Sequence, residues 1–169
     1  MYWVKSGKSN GAIMRAEMDG SNRVTLVTGL KYARGLTIDF EESRLYWTCR
    51  GDDTIQSSNL QGSDIRTVIQ LQNGSYPIGV GPLHDRLYWT NFEGKTLQAS
   101  SMSDGTVVQT LYTGNKRLYH FVIIPGLNLP TNRVNHCDRQ NCTKVCALTA
   151  TSFRCVDWIS SVPLNHIRI

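Results

Sequence analysis

A unit of about 43 residues recurs through the first 120 residues, and it constrains the fold more than any other feature of the chain. The phrase Met1–Val4, with Tyr and Trp at its centre, returns at Leu45–Thr48 and at Leu87–Thr90, with tryptophans 44 and 42 residues apart. A second phrase with a central glycine keeps the same period and stands at 18–21, 60–64 and 102–105. Two independent landmarks with one period indicate a repeat architecture.

The middle repeat has the pattern of four short strands. Its stretches of β-branched and aromatic residues are Gly35–Phe40, Arg44–Thr48, Thr54–Leu60 and Ile65–Leu71. The separators Glu-Glu-Ser, Arg-Gly-Asp-Asp and Gln-Gly-Ser-Asp are typical of tight turns. Four strands in about 42 residues match a propeller blade, whose small sheet buries its faces only against neighbouring blades. The chain is therefore predicted to be all-β, a partial β-propeller of about three four-stranded blades.

Composition and motifs exclude several classes of function. The net charge is +5, but the basic residues are scattered singly, which argues against nucleic-acid binding. Apolar runs fall far short of the roughly 20 residues that cross a bilayer, so no membrane insertion is expected, and no N-terminal secretion signal is visible. There is no phosphate-binding loop or nucleophile elbow, and the four histidines are dispersed. We therefore predict no catalytic residue, cofactor or metal site.

The five cysteines fall into two groups. Cys137, Cys142, Cys146 and Cys155 lie close together near the C-terminus, whereas Cys49 stands alone. A local, even set in a turn-rich segment favours disulfides formed in an oxidising compartment. The alternative is a zinc knuckle, which the spacings disfavour because they lack the paired C-x-x-C form. Cys49 is either a buried weak hydrophobe or an unpaired thiol, and its place on a strand favours burial.

Two sets of motifs carry a resemblance to a known family. The phrase Leu-Tyr-Trp-Thr, preceded by Gly-Leu-Thr-Ile-Asp-Phe and followed by Asn-Leu-x-Gly-Ser-Asp, resembles the YWTD repeat of low-density-lipoprotein receptor relatives, whose repeats form six-bladed propellers. The segments Asn135–Cys137, Cys142–Cys146 and Ser152–Cys155 are similar to the first four cysteines of the epidermal-growth-factor-like module that follows such propellers. The resemblance implies half of a six-bladed ring with a small disulfide-stapled tail.

The resemblance also implies a domain organisation. The partial propeller would occupy 1–130, with repeats at about 1–31, 32–73 and 74–114 and a closing strand at 118–124. A truncated epidermal-growth-factor-like module would occupy 131–157, with Cys137 paired to Cys146 and Cys142 paired to Cys155, and an irregular tail 158–169. Asp157 stands where the family has a fifth cysteine.

The chain departs from the family pattern at its most recognisable positions. The family motif ends in an aspartate, and the resemblance implies that this aspartate hydrogen-bonds between neighbouring blades. In this chain the equivalent positions hold Lys5, Cys49 and Asn91. Met1 stands where Leu45 and Leu87 stand in the other copies. We therefore expect weaker blade packing and a fragment of a longer receptor, or an incomplete gene model, whose partners include the missing blades.

The repeat layout predicts where packing and binding residues lie. The tryptophans Trp3, Trp47 and Trp89 occupy one strand position of every copy and are expected to fill the space between blades. Binding is expected on one face, where the turns between second and third strands meet the blade connectors. Exposed aromatic residues beside charges are typical of protein interfaces. The candidates are Tyr32, Arg34, Arg50, Asp52, Asp53, Tyr76, Phe92, Glu93, Lys95 and Tyr119.

Three further patterns have alternative explanations. Arg50-Gly51-Asp52 is an integrin-type tripeptide, but turns are rich in Gly and Asp. Asn73 and Asn141 fit the glycosylation pattern, which matters only in a secreted chain, and Asn73 in a blade connector is the better acceptor. His84 and His120 titrate in the range of an endosomal pH sensor, although scattered histidines are most often ordinary surface residues.

The resemblance implies a non-enzymatic extracellular region of a single-pass receptor, of the endocytic or Wnt co-receptor type, that binds lipoprotein or Wnt-type protein ligands. The alternative is a structural role in a basement-membrane or adhesion protein with the same repeat. An enzyme is disfavoured, because propeller enzymes bring acidic or histidine clusters to the central channel. Fold alone does not decide between these functions.

Non-reducing peptide mapping of secreted material tests the cysteine assignment. We expect one disulfide between Cys137 and Cys146 and another between Cys142 and Cys155, because a small module without a large core depends on such cross-links. Finding all four as free thiols would contradict the assignment.

Overall fold

A computed structural model describes residues 1–103 and 108–123, together with the backbones of strands at 145–148, 153–156 and 167–168. The chain divides into two compact units, Met1–Phe121 and Val122–Ile169. Cys137, Cys142, Asn141 and most of the predicted tail module lie outside the described residues. The epidermal-growth-factor-like module therefore remains a prediction.

The first unit contains three antiparallel sheets whose strands follow one another in chain order. The first sheet holds β1 (Tyr2–Lys5), β2 (Gly11–Arg15) and β3 (Val24–Leu30). The second holds β4 (Ala33–Asp39), β5 (Arg44–Cys49), β6 (Thr54–Asn59) and β7 (Arg66–Gln70). The third holds β8 (Pro77–Leu83), β9 (Arg86–Asn91), β10 (Thr96–Ser101) and β11 (Gln109–Thr113). The all-β, partial-propeller prediction is confirmed, with three strands rather than four in the first sheet.

In the second unit, β12 (Val122–Ile123) pairs with β15 (Ile167–Arg168), and β13 (Val145–Leu148) pairs with β14 (Phe153–Val156). The register of the β13–β14 hairpin places Cys146 directly opposite Cys155. Within the described part of the segment predicted as a closing strand, 118–124, only β12 is a strand.

The turn between β6 and β7 shows how the sequence specifies these hairpins. The Asn59 carboxamide oxygen accepts hydrogen bonds from the amides of Gln61 at 3.0 Å and Ser63 at 2.9 Å. Gly62 has a φ of 82°, a conformation that favours glycine. A Cβ on Gly62 would also lie 2.6 Å from that of Leu26 on the neighbouring sheet. The glycine of the second repeated phrase therefore serves both the turn and the approach of two sheets.

Consecutive sheets pack through two apolar clusters. Trp47 is fully buried in a cluster that joins β2 and β3 to β4 and β5, and Trp89 is fully buried in one that joins the second sheet to the third. Each indole donates from Nε1 to a glutamine Oε1 on the next strand, Gln56 and Gln98, at 3.1 Å. Trp3 is half-buried. The tryptophans of the second and third repeats therefore lie where one sheet meets the next.

A buried threonine hydroxyl also joins each of the two four-stranded sheets to a later part of the chain. Thr48 Oγ1 accepts from the Gly35 amide and donates to the Ile78 carbonyl on β8, both at 2.9 Å. In the next repeat, Thr90 Oγ1 accepts from the Gly79 amide and donates to the Tyr119 carbonyl, again at 2.9 Å. We call these two arrangements the threonine bridges.

Glycines allow the backbones to approach closely enough for the threonine bridges. A Cβ on Gly35 would overlap the Ile78 carbonyl oxygen, and one on Gly79 would lie 3.0 Å from the Tyr119 carbonyl oxygen. The fourth motif position acts differently, because Asn91 Oδ1 accepts from Gly94 within its own turn and Cys49 is buried in the apolar core. The hydrogen-bonded contact between the second and third sheets therefore depends on the third motif position, whereas Cys49 at the fourth contributes apolar contact between the first and second sheets.

Hydrogen exchange tests the threonine bridges one at a time. Thr48→Val removes the hydroxyl at nearly constant volume and should speed exchange of the Gly35 amide roughly tenfold or more, because a buried polar group without a partner costs about 1–3 kcal/mol. Thr90→Val should instead speed exchange of the Gly79 amide and leave that of Gly35 unchanged. Each variant is the control for the other, and unchanged protection at the matching glycine would contradict the bridges.

The buried thiol of Cys49 gives a second test of this core. Its side chain is fully buried and free, and burial, followed by the charge of Asp52, raises the pKa of the thiol to about 11. A buried thiol in its protonated form is a poor nucleophile. At pH 8 we expect iodoacetamide to leave the Cys49 peptide unlabelled in the folded chain and to label it after unfolding, as read by mass spectrometry. Rapid labelling of the folded chain would contradict the burial.

Candidate ligand-binding face

Turns and connectors meet at one end of the first unit. The β5–β6 turn bonds to the β3–β4 connector, with the Arg50 amide donating to the Tyr32 carbonyl at 3.2 Å. The β9–β10 turn bonds in the same way to the β7–β8 connector, with the Phe92 amide donating to the Tyr76 carbonyl at 3.1 Å. The segment after β11 bonds to the β9–β10 turn, because the Gly114 amide donates to the Lys95 carbonyl at 2.8 Å. The structure thus brings together most of the loops that carry the candidate residues.

The side chains on these loops form one continuous group, which we call the arginine–aromatic cluster. It consists of Arg50, Tyr76, Phe92, Arg117 and Tyr119. The guanidinium of Arg50 lies 4.6 Å from the ring centroid of Tyr76 and 5.5 Å from that of Phe92. Arg117 lies 4.6 Å from the centroid of Phe92, and the ring of Tyr119 meets Phe92 edge-on at 5.4 Å. Such cation–π and edge-to-face contacts hold the group in a defined arrangement.

The tyrosines of the connectors have an unusual backbone conformation. Tyr32 and Tyr76 have φ values of 50° and 52°, in the left-handed region that large residues seldom occupy. Asp53 stabilises this conformation at Tyr76, since its two carboxylate oxygens accept from the amides of Gly74 at 2.8 Å and Tyr76 at 2.6 Å. Asp53 is itself buried. Sequence reasoning grouped Asp53 with the binding residues, whereas the structure places it behind them, as support for Tyr76.

The charged residues of these turns pair with one another at the surface. Asp52 accepts from the Lys31 ammonium at 2.7 Å, and this hydrogen bond raises the pKa of Lys31. Glu93 lies 3.5 Å from Arg117. Within the integrin-type tripeptide, the Asp52 carboxylate is engaged by Lys31, and Arg50 lies against the rings of Tyr76 and Phe92. That arrangement disfavours the integrin interpretation.

The other sequence candidates lie in different settings. Arg34, on β4, lines a separate cleft of about 430 Å³ with Tyr2, Trp3 and Phe40. Tyr32, Lys95 and Asn73 are exposed on the connectors and turns of the face. His84 lies in the turn between β8 and β9, at the opposite end of its sheet, and His120 is exposed beside Tyr119.

Sequence reasoning missed Arg117. The available signal was its position two residues before Tyr119, in the segment that takes the place of a blade connector after β11. Arg117 faces the same ring as Arg50, so it belongs with the residues that the layout selected.

Two kinds of feature are absent from the described part of the chain. Residues 1–103 and 108–123 contain no group of three or more His, Cys, Asp or Glu side chains placed to hold a metal ion. The described residues also contain no helix with the length and hydropathy that a bilayer crossing requires.

Comparison with known proteins gives two receptor relatives. A vitellogenin receptor of Solenopsis invicta is 25% identical over 160 residues, which is 92% of this chain and 9% of that receptor. Low-density lipoprotein receptor-related protein 5 of Mus musculus is 44% identical over 73 residues, which is 43% of this chain and 4% of that protein. The chain therefore spans less than a tenth of either relative. No family model matches it.

Two solved structures share the fold. A chain of the nidogen/laminin complex is 27% identical with a TM-score of 0.60, covering 70% of this chain and 45% of its own length. A luciferin-regenerating enzyme has a TM-score of 0.59 at 15% identity, covering 69% of this chain and 41% of its own, and at that identity it shows the fold alone. The repeated Tyr-Trp phrase on matching strands, the two receptor relatives and the nidogen-type neighbour agree with one another. In its YWTD repeats this chain is similar to the low-density-lipoprotein receptor-related proteins.

Proposed function

We propose that this chain is part of the extracellular, non-enzymatic region of a receptor, and that the arginine–aromatic cluster binds a protein ligand. The observation that carries the proposal is the cluster itself, in which two arginines and three aromatic rings lie at one end of the unit. Tyr119 is 58% exposed, so the group is open to a partner. Tyrosine and arginine are the side chains that dominate binding energy at protein interfaces.

Rigidity of the face supports the same function. The loops are joined by backbone hydrogen bonds, and the ring of Tyr76 projects from a backbone conformation held by Asp53. A preorganised surface loses less conformational entropy when it binds. An outlier backbone stabilised by its surroundings is also more frequent at functional sites than elsewhere.

The proposed location is extracellular, with glycosylation at Asn73 and disulfides in the tail. Asn73 is exposed beside Gly74, whose φ of 82° places the acceptor in a turn. A glycan is bulky and requires such a surface position. Endocytic uptake and Wnt co-reception are the receptor activities that fit these features.

A matrix or adhesion role is the second candidate. The observation that favours it is the nidogen-type neighbour, which was solved in complex with laminin. Both candidates use a protein-binding face on a propeller, so they differ in ligand and in the parent protein.

Binding measurements on the immobilised chain test the proposal with lipoprotein particles, a Wnt protein and laminin as probes. For whichever probe binds, Phe92→Ala and Tyr119→Ala should each lower the affinity by about tenfold or more, because truncation of an interface anchor costs about 2 kcal/mol. The matched control is Phe40→Ala, which removes another ring, 83% exposed, from the opposite end of its sheet.

The result with Phe40→Ala should stay within twofold of the unmodified chain. Binding of laminin alone would favour the matrix role, and binding of lipoprotein or the Wnt protein would favour the receptor. Equal losses at Phe40 and at the cluster would contradict a ligand site at the arginine–aromatic cluster.

A further inference from the structure

We infer that Arg50 is a preformed binding site for a carboxylate, and that the protein ligand presents an aspartate or glutamate side chain to it. The inference rests on the proposed function of the arginine–aromatic cluster and adds the chemistry of the partner. It comes from an arginine that is held in place while its hydrogen-bond donors are left without acceptors.

Two rings position the Arg50 side chain. Its guanidinium lies 4.6 Å from the centroid of Tyr76 and 5.5 Å from that of Phe92, and the residue is half-buried. Aromatic rings pack against the flat faces of a guanidinium and restrict its motion. They accept no hydrogen bond from its five N–H groups, which lie in the guanidinium plane. Among residues 1–103 and 108–123, no side chain or carbonyl accepts a hydrogen bond from this guanidinium or pairs with it.

The acidic groups nearest in sequence are all engaged elsewhere. Asp52 pairs with Lys31 at 2.7 Å, and both oxygens of Asp53 accept from backbone amides of the next connector. Glu93, in the neighbouring turn, lies 3.5 Å from Arg117. Within residues 1–103 and 108–123, Arg50 is therefore a cation without a counter-charge, although three carboxylates lie in the same two turns.

Arg44 shows how this chain satisfies an arginine when no ligand is involved. At the opposite end of the second sheet, Arg44 donates to the Asp64 carboxylate at 2.8 Å, to the Asp64 carbonyl at 3.0 Å and to the Ser57 hydroxyl at 3.0 Å. Arg50 is also held in place, but by aromatic rings and not by hydrogen-bond acceptors of this kind.

The geometry of the free donors selects the ligand group. A planar guanidinium offers parallel N–H pairs that match the two oxygens of a carboxylate, and a charge-assisted bond of this kind is stronger where water is partly excluded. Arg117 contacts the same Phe92 ring and adds a second cation nearby. The exposed ring of Tyr119 beside them offers apolar contact to a neighbouring residue of the ligand. The partner is therefore a protein segment with an acidic residue next to an apolar one.

A random nine-residue peptide library displayed on phage tests the inference on the full 169-residue chain. Selection against the unmodified chain should enrich peptides with Asp or Glu at one position. Selection against Arg50→Gln should lose that enrichment, and Arg50→Lys should keep only part of it, because an ammonium retains the charge but not the paired donors. The control is Arg66→Gln, which removes an exposed arginine from the far end of the second sheet and should leave the enrichment unchanged.

A peptide pair then isolates the contact. The most frequent selected peptide and its twin with Asn or Gln in place of the acid should differ about tenfold in Kd on the unmodified chain, and should bind equally to Arg50→Gln. Melting curves compare the folding of each variant with that of the unmodified chain. If Arg50→Gln fails to fold, the Kd values of the two peptides on the unmodified chain decide the inference. The acidic peptide should bind more tightly than its amide twin, and this difference should shrink as salt is added.

Two results would overturn the inference, and they are distinguishable. If selected peptides lose affinity for Phe92→Ala and Tyr119→Ala but show no acidic position, the face binds ligands and Arg50 does not read a carboxylate. If selected peptides bind those two variants as well as they bind the unmodified chain, the proposed function of the cluster fails together with the inference.

Discussion

The threonine bridges are the buried polar contacts that join the second sheet to the third and the third sheet to the segment after β11. One hydroxyl oxygen accepts from a glycine amide of its own sheet and donates to a carbonyl of a later segment, in two successive repeats. The bridge is short because a glycine stands where a side chain would separate the two backbones. The apolar cluster between the second and third sheets therefore closes around a specific polar contact, which sets the angle and spacing of those two sheets more narrowly than apolar packing does.

The same bridges position the binding face. The carbonyl that Thr90 reaches belongs to Tyr119, and the carbonyl that Thr48 reaches belongs to Ile78, two residues after Tyr76. Tyr119 is therefore attached directly to the scaffold, and Tyr76 lies two residues from an attached position. A binding surface built in this way keeps its geometry before a ligand arrives, which reduces the entropy lost on association.

Charge on the face is distributed unevenly in a way that fits ligand recognition. Lys31 and Arg117 have acidic neighbours, and Asp53 is used to hold a connector. Arg50 alone among the residues of the cluster combines aromatic contacts with a guanidinium that has no acceptor in the described part of the chain. A fold that served packing alone would gain by pairing such a group, since unpaired and partly buried charges are unfavourable. A partner that supplies an acceptor would remove that cost.

Local patterns in the sequence were sufficient for the architecture. The period of the Tyr-Trp phrase and the turn residues between strands act over a few positions, so they predicted the strands of the middle repeat to within two residues at each end and grouped most of the loops on one face. The roles of Thr48, Asp53 and Arg50 could not be read in this way. Each depends on an atom 20 to 30 residues away in the chain, such as the Ile78 carbonyl, the Tyr76 amide or the Tyr76 ring. Those distances along the chain become contacts only when whole sheets pack, and packing between sheets is a property of the assembled unit that no single repeat carries.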